Sequence, residues 1–112
     1  MQRVSTRDVD PSEPVEDVFL GLLASGEETS LQHFEIDPGA TVPEHSHPHE
    51  QTGFVYEGTL TFVSGGETVV VEAGDSFSIP GNEPHSAENR SDVPVRGIDV
   101  FAPPRTDPDW VE

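Results

Sequence analysis

Hydrophobic and polar residues alternate over short segments along most of the chain, and Gly, Pro and Asn separate these segments. Alternation with a period of two puts apolar side chains on one face of a β-strand. The pattern therefore predicts strands over residues 15–24, 29–36, 51–57, 59–64, 67–71, 76–80, 85–89 and 93–101. Together with a strand that carries His45 and His47, these segments make about nine or ten short strands, and with no competing helical periodicity they indicate an all-β sandwich or barrel.

The turns between these segments also divide the chain. Gly65 and Gly66 separate two apolar strands, which predicts a tight hairpin whose two central residues have positive φ. A chain of 112 residues is normally one domain. We expect a loose or edge-lying arm over 1–17, the barrel over 18–105 and a tail over 106–112. The apolar segment Val18 to Leu23 is the candidate for an edge that is exchanged or packed in a homodimer.

The charge balance limits the partners. The chain has 22 acidic and 5 basic residues, a net charge of −17 and no lysine. Such a field repels phosphate backbones and anionic membranes, so neither nucleic acid nor membrane is expected as a partner. The acidic, lysine-poor composition is similar to that of proteins from salt-loving organisms, and we expect the fold to weaken at low salt. No apolar run reaches the roughly 20 residues of a membrane helix, and no apolar signal core begins the chain, which predicts a cytoplasmic protein.

Three of the five histidines, His45, His47 and His49, lie within five residues. On a strand, His45 and His47 would point to the same side, as two metal ligands must. Gln51 can join them only if the chain reverses, and Pro48 is placed to start that reversal. Because the chain has no cysteine, a metal must be held by nitrogen and oxygen.

A second cluster, residues 74–89, has a short strand, a Pro80-Gly81-Asn82 turn and then His85. The two clusters together resemble the two motifs of the cupin superfamily, G-x5-H-x-H-x3-E-x6-G and G-x5-P-x-G-x2-H-x3-N. The matching residues are Gly39, His45, His47, Gly58, Gly74, Pro80, His85 and Asn89. Gln51 stands where the family usually has Glu, and Asn82 stands where it usually has Gly, although Asn tolerates a left-handed turn.

This resemblance implies a jelly-roll barrel, also called a double-stranded β-helix or RmlC-like fold, with one divalent transition metal inside. The implied metal ligands are His45, His47, Gln51 and His85. A neutral Gln51 would leave the full charge of the ion available to a bound anion or water. His49 could be a spare ligand, a substrate contact or a solvated residue, with a solvated or outer role favoured. His33 lies outside both motifs and is expected to be structural.

The last strand carries a third group of residues. Asp99 and Phe101 share one strand face, and Arg105 follows Pro103 and Pro104. If Asp99 faces the interior, it can act as a general acid or base near the metal, and Arg105 can bind an anion. The alternative places Asp99 on the surface and pairs Arg105 with a surface acid.

The segment H-S-H-P-H-E-Q together with the C-terminal D-x-F-x-P-x-R is similar to the small pectin-degradation cupins. That resemblance implies conversion of 4,5-unsaturated monouronates to linear keto-sugar acids, with Asp99, Phe101 and Arg105 as the active-site group. The metal would be Ni, Zn, Mn or Fe, and the partner a small anionic sugar acid. The other interpretations are a different metal-dependent cupin enzyme, such as a dioxygenase or isomerase, and a non-catalytic sugar-acid binding module.

Overall fold

The computed structural model describes residues 1–105, which form two antiparallel β-sheets and a short 3₁₀ helix at Thr6–Asp8. The larger sheet has six strands in the order β1-β2-β3-β10-β5-β8, and the smaller has four in the order β4-β9-β6-β7. In chain order the strands are β1 Ser12–Val15, β2 Val18–Ser25, β3 Ser30–Ile36, β4 Thr41–His45, β5 Glu50–Glu57, β6 Thr59–Ser64, β7 Glu67–Glu72, β8 Ser76–Ile79, β9 His85–Glu88 and β10 Val95–Ala102. The predicted all-β class is confirmed.

The interior lies between the two sheets and is filled by alternate residues of the strands. On β3 and β10 every second side chain is buried, as the period-two pattern requires. The buried apolar cluster comprises Val18, Leu20, Phe34, Ile36, Ala40, Val42, Val55, Leu60, Val71, Ala87 and Val95. Since side chains from both sheets meet in this cluster, it joins the two layers into one core.

The hairpin between β6 and β7 forms as predicted. Ser64 pairs with Glu67, and the two residues between them, Gly65 and Gly66, have φ values of 57° and 79°. A two-residue turn with positive φ at both positions matches the right-handed twist of the flanking strands. Glycine adopts this conformation without a Cβ penalty, and it therefore fixes the register here.

The single strand predicted over 15–24 is wrong in one respect, because a hairpin interrupts it. β1 pairs with β2 through Val15 and Val18, and Asp17 makes the turn at a φ of 64°. The turn lacks glycine, so its sequence carries no strong turn signal. Within the described residues β1 is an edge strand of the larger sheet. β2 is paired on both sides, by β1 and β3, so the expectation that it is an exposed edge is wrong.

The segment that carries the first histidine cluster also differs from the expectation. β4 ends at His45, which pairs with His85, and the chain bends at residues 48–49 before β5 begins in the other sheet. His45 and His47 are therefore not alternate residues of one strand. The reversal expected near Pro48 is present. It begins before His47, because the chain leaves the smaller sheet after His45.

The predicted tail at 106–112 lies outside the described residues, and the predicted domain boundaries stay a prediction. Residues 1–105 contain no helix that is both long and apolar enough to cross a membrane.

Candidate metal centre

Three imidazoles meet inside one end of the barrel. His45 is the last residue of β4, His85 is the first residue of β9, and His47 lies in the loop between β4 and β5. One ring nitrogen from each lies within 4.8 Å of the others. The ring centroids of His45 and His85 are 4.5 Å apart, and His47 lies 5.6 Å and 5.2 Å from them. This spacing suits three ligands of a single ion.

The outer nitrogen of each ring is held by a backbone carbonyl. Nδ1 of His45 lies 2.8 Å from the carbonyl oxygen of residue 43, Nδ1 of His47 lies 3.0 Å from that of residue 49, and Nδ1 of His85 lies 2.8 Å from that of residue 83. A carbonyl only accepts, so each Nδ1 must carry the proton. Each Nε2 then keeps its lone pair, which is the arrangement of metal-binding histidines. The residues present therefore fit a metal.

The turn that follows β8 positions the loop that bears His47. The backbone N–H of Asn82 donates to the carbonyl of His47 at 2.6 Å, and Asn82 has a φ of 66°. Gly81 packs so closely that a Cβ built on it would lie 2.5 Å from the carbonyl oxygen of Pro48. The left-handed Asn82 turn is as predicted, whereas the closeness of Gly81 was missed. Only contact between two distant segments reveals it.

Gln51 lies beside the imidazoles, at the start of β5. Its Oε1 is 3.1 Å from Nε2 of His47, and its Nε2 donates to Oδ1 of Asp99 at 3.0 Å. Gln32, from β3, donates to the other oxygen of Asp99 at 3.4 Å. The side chains of all three residues are buried. Asp99 therefore sits between two amide donors, from the two strands that flank β10.

Burial changes the acid–base behaviour of Asp99. Loss of water around the carboxylate raises the pKa of Asp99 from 3.8 to about 7, against the opposing effects of hydrogen bonds from Gln51 and Gln32 and of the charge on Arg105. The alternative that Asp99 lies on the surface is excluded, since only 6% of the residue is exposed. A carboxyl group with a pKa near neutrality can both donate and accept a proton.

Burial, together with the nearby charge of Arg105 and the neighbouring imidazole of His85, lowers the pKa of His47 from 6.5 to about 4. His47 is therefore neutral at pH 7, which is the form of imidazole that binds a metal.

Arg105 and Phe101 form a packed pair beside His47. The guanidinium carbon of Arg105 lies 5.2 Å from the centroid of the Phe101 ring, a cation–π distance. The backbone N–H of Arg105 donates to Oγ of Ser30 at 2.9 Å. Both residues are buried. Phe101 is 1% exposed, and its ring is covered by protein groups rather than open to a ligand.

The remaining histidines lie outside the triad. The ring of His49 contacts Phe101 with 6.2 Å between centroids, and within residues 1–105 its buried Nδ1 has no hydrogen-bond partner. His33 lies 2.6 Å from the hydroxyl of Tyr56 through its Nε2, and burial lowers its pKa. His33 lies on the outer side of β3, away from the triad, since alternate residues of that strand face the core.

A cavity of about 50 Å³ opens onto this group, and it is lined by His45, Gln51, His85, Asp99, Phe101 and Arg105 together with core residues. It has room for about one or two water molecules, whose share of liquid volume is about 30 Å³ each. A sugar acid is larger, so a ligand of that size enters only when lining side chains move.

Sequence reasoning missed Gln32 as part of this group. The available signal was the inward-facing set of β3, where Ser30 and Gln32 are polar and the next two inward residues are apolar. A polar residue at a core position of an otherwise regular alternation indicates a partner inside the barrel.

The fold and the site together define a two-sheet β-barrel with three imidazoles gathered inside one end. Residues 32–101 match the Cupin domain family, and the chain belongs to that family. The identification made from the two sequence motifs is confirmed.

Among curated proteins, the tetracenomycin polyketide synthase protein TcmJ of Streptomyces glaucescens is 34% identical over 74 residues. The match covers 65% of this chain and 50% of TcmJ, so the chain spans about half the length of this relative.

Three solved structures are similar over 96% of this chain. KdgF from Halomonas sp. has a TM-score of 0.86 at 24% identity, with 97% of KdgF covered, and shares the fold. An RmlC-like cupin from Shewanella frigidimarina has a TM-score of 0.82 at 27% identity, with 98% covered. The polyketide cyclase RemF from Streptomyces resistomycificus has a TM-score of 0.82 at 26% identity, with 82% covered. The neighbours of this chain thus include an enzyme.

Proposed function

We propose that the chain is a metal-dependent enzyme that opens the ring of 4,5-unsaturated monouronates and releases linear keto-sugar acids. One observation carries the proposal: Asp99, Phe101 and Arg105, the residues of the C-terminal D-x-F-x-P-x-R segment, line the same cavity as the imidazoles of His45 and His85, and the ring of Phe101 contacts that of His47. A carboxyl group, a cation and a set of metal ligands within one cavity supply what ring opening of an anionic sugar requires.

His45, His47, Gln51 and His85 would hold one divalent ion, and the nitrogen–oxygen donor set suits Ni, Zn, Mn or Fe. When bound, such an ion supplies Lewis-acid polarisation of a substrate oxygen. The carbonyl-held Nδ1 atoms orient the three imidazoles toward one point before any ion binds.

Asp99 moves the proton in this proposal. Its carboxyl group is buried, carries a pKa near 7 and faces the cavity, so it can transfer a proton to or from the enol-ether system of the substrate. Arg105 binds the uronate carboxylate. Because its guanidinium lies over Phe101, it must swing off the ring for Phe101 to pack on the sugar face, and this movement also widens the cavity.

The test is turnover, measured as loss of ultraviolet absorbance of the conjugated double bond in an unsaturated monouronate. Asp99→Asn should lower the rate by about 10²- to 10⁴-fold, the usual contribution of general acid–base catalysis, while metal content is unchanged. Asp92→Asn, a change at an exposed aspartate, is the matched control and should keep the rate. An active Asp99→Asn variant would remove Asp99 from the proposed chemistry, and a metal-loaded native protein without turnover would remove the substrate.

A second candidate function is supported by the relatives. TcmJ and RemF, a polyketide synthase protein and a polyketide cyclase, suggest a ring-forming reaction on a polyketide at the same centre. Turnover of an aromatic polyketide precursor without turnover of a uronate would favour this function. Oxygen consumption would instead favour a dioxygenase, and affinity for a sugar acid without turnover would favour a binding module.

We also propose that the protein is a homodimer that pairs through the outer face of the larger sheet. This outer face has a groove lined by Phe54, Ile98 and Val100, and 44% of Phe54 is exposed. The neighbouring Arg96 is paired with Glu35 and Glu57, which offsets part of the negative charge at one side of the groove.

The rest of the surface carries a large negative charge, since the chain has a net charge of −17. Two copies therefore repel least when they approach through this apolar groove, which has no charged residue in its lining. A second copy of the chain is for this reason the proposed occupant of the groove. A dimeric mass at molar KCl that becomes monomeric with Ile98→Glu would support the pairing. A monomeric native mass under the same conditions would rule it out. The cytoplasmic location stays a prediction.

A further inference from the structure

The side chain of Gln51 has two chemically different ends, and the structure shows where each one points. The carbonyl oxygen Oε1 faces the imidazole of His47 at 3.1 Å, and the amide Nε2 faces Asp99 at 3.0 Å. Only the carbonyl end can act as a metal ligand, because the NH₂ group of an amide is a donor without an available lone pair. The usefulness of Gln51 to a metal thus depends on the direction of its amide.

Asp99 accounts for that direction. In its ionised form the Asp99 carboxylate only accepts hydrogen bonds, so a carbonyl oxygen turned toward it would be repelled, whereas an NH₂ group donates to it. Gln32 donates to the second oxygen of Asp99 from β3, the strand on the other side of β10. The carboxyl group is therefore held by one amide from each neighbouring strand. All three side chains are buried, at 8% exposure or less.

We propose that Asp99 is a positioning residue for the metal centre: it turns the carbonyl oxygen of Gln51 toward the three imidazoles and so makes a neutral residue a usable fourth ligand. A Glu at position 51, as the family motif usually has, would need no such orientation because its two oxygens are equivalent. It would also face the Asp99 carboxylate with like charge. Gln51 and Asp99 are therefore a matched pair, and this inference rests on the metal-binding part of the proposed function.

The experiment measures Zn²⁺ affinity by competition with a chromogenic chelator at molar KCl. Asp99→Leu removes the acceptor while keeping a similar volume, and it should weaken Zn²⁺ binding by about 10- to 100-fold, the usual cost of losing an outer partner of a metal ligand. Asp99→Asn is the matched control: its amide oxygen still accepts from Gln51, so affinity should stay within about threefold of the native value, well short of that cost. The same Asp99→Leu change in a Gln51→Glu protein should cause no loss, because a carboxylate needs no orientation.

A second measurement does not depend on variants that fold. In the metal-free native protein, the side-chain NH₂ protons of Gln51 and Gln32 should exchange with solvent more slowly than those of the exposed Gln2. Exchange of Gln51 as fast as that of Gln2 would overturn the inference. So would an equal loss of affinity when Asp99→Leu is made in the native protein and in the Gln51→Glu protein, or no loss in either. Native protein that binds no Zn²⁺ would instead contradict the proposed metal centre itself.

Discussion

The two ends of the barrel interior are built on the same strands and differ in chemistry. At one end, the apolar end, the inward-facing residues of β3, β5 and β10 are Phe34, Ile36, Val55 and Val95. At the other end, the metal end, the same three strands present Ser30, Gln32, Gln51, Asp99 and Phe101. Register keeps the two sets apart, since Val95 pairs with Ile36 and Asp99 pairs with Gln32.

The difference teaches where stability and function reside. Val18, Val55 and Val95 are fully buried, and each such side chain contributes about 1.5–3 kcal/mol through removal of apolar surface from water. Burial of polar groups at the metal end costs free energy that their hydrogen bonds only offset. The apolar end therefore stabilises the fold, and it allows the metal end to keep a buried carboxyl group and three clustered imidazoles.

The largest effects are expected from two single substitutions, one at the metal end and one at the apolar end of the barrel interior. His85→Ala should lower metal affinity by more than the roughly 10- to 100-fold cost of losing an outer partner, because it removes a ligand atom. It should change the free energy of unfolding of the metal-free protein by about 1 kcal/mol or less, the value of one hydrogen bond. Ile36→Ala should instead cost about 2–5 kcal/mol of stability.

Competition with a chelator and chemical denaturation of the metal-free proteins measure these two quantities. Ile36→Ala should keep the native metal affinity under conditions in which it stays folded, since Ile36 lies at the apolar end. The division between the ends fails if His85→Ala destabilises the metal-free fold as much as Ile36→Ala does.

A smaller effect is expected where a tight contact supports the metal end. Gly81→Ala would bring a Cβ within 2.5 Å of the carbonyl oxygen of Pro48, so the loop that bears His47 must shift. We expect metal affinity to fall by about 10-fold, at the low end of the effects of positioning changes. Gly26→Ala is the matched control, because the nearest atom to its Cβ would lie 3.8 Å away. Equal affinities of the two variants would show that the contact at Gly81 does not position the loop.

The sequence predicted the apolar end and the ligand types of the metal end, for a physical reason in each case. The sequences of β3 and β10 alternate with a period of two, which predicts the buried face of each strand. The spacing of His45, His47 and His85 matches the cupin motifs. The contacts that orient those side chains could not be predicted.

Gln32 and Gly81 show why. Each acts through a partner far away in the chain: Gln32 meets Asp99 across 67 positions, and Gly81 meets Pro48 in a loop of the other histidine cluster. Local propensity carries no information on such pairs. The hairpin at Asp17 was missed for a local reason, since a residue other than glycine takes the φ of 64° and gives no strong turn signal.

The last prediction concerns the pH dependence of the metal-free protein, and it isolates Asp99 at the metal end. Burial raises the pKa of Asp99 to about 7, so the folded state favours the protonated carboxyl group. The stabilisation from this group is fully present below its ordinary pKa of 3.8 and is lost as the pH rises through about 7. His47 acts in the opposite direction, because its pKa is lowered to about 4 and it disfavours folding as the pH falls.

The effects of Asp99 and His47 on stability therefore oppose each other between pH 4 and pH 7. Comparing the native protein with a variant of Asp99 separates the two effects. We expect the stability of the native protein minus that of Asp99→Asn to decline across this window by a few kcal/mol, since each unit of pKa shift corresponds to about 1.4 kcal/mol. Denaturation in molar KCl measures it, because salt screens the repulsion among the many surface acids, which the two proteins share. A constant difference across the window would mean that Asp99 titrates at its ordinary pKa. The side chains at the metal end would then be more hydrated than the barrel structure implies. The two ends would differ only in the types of side chain they carry.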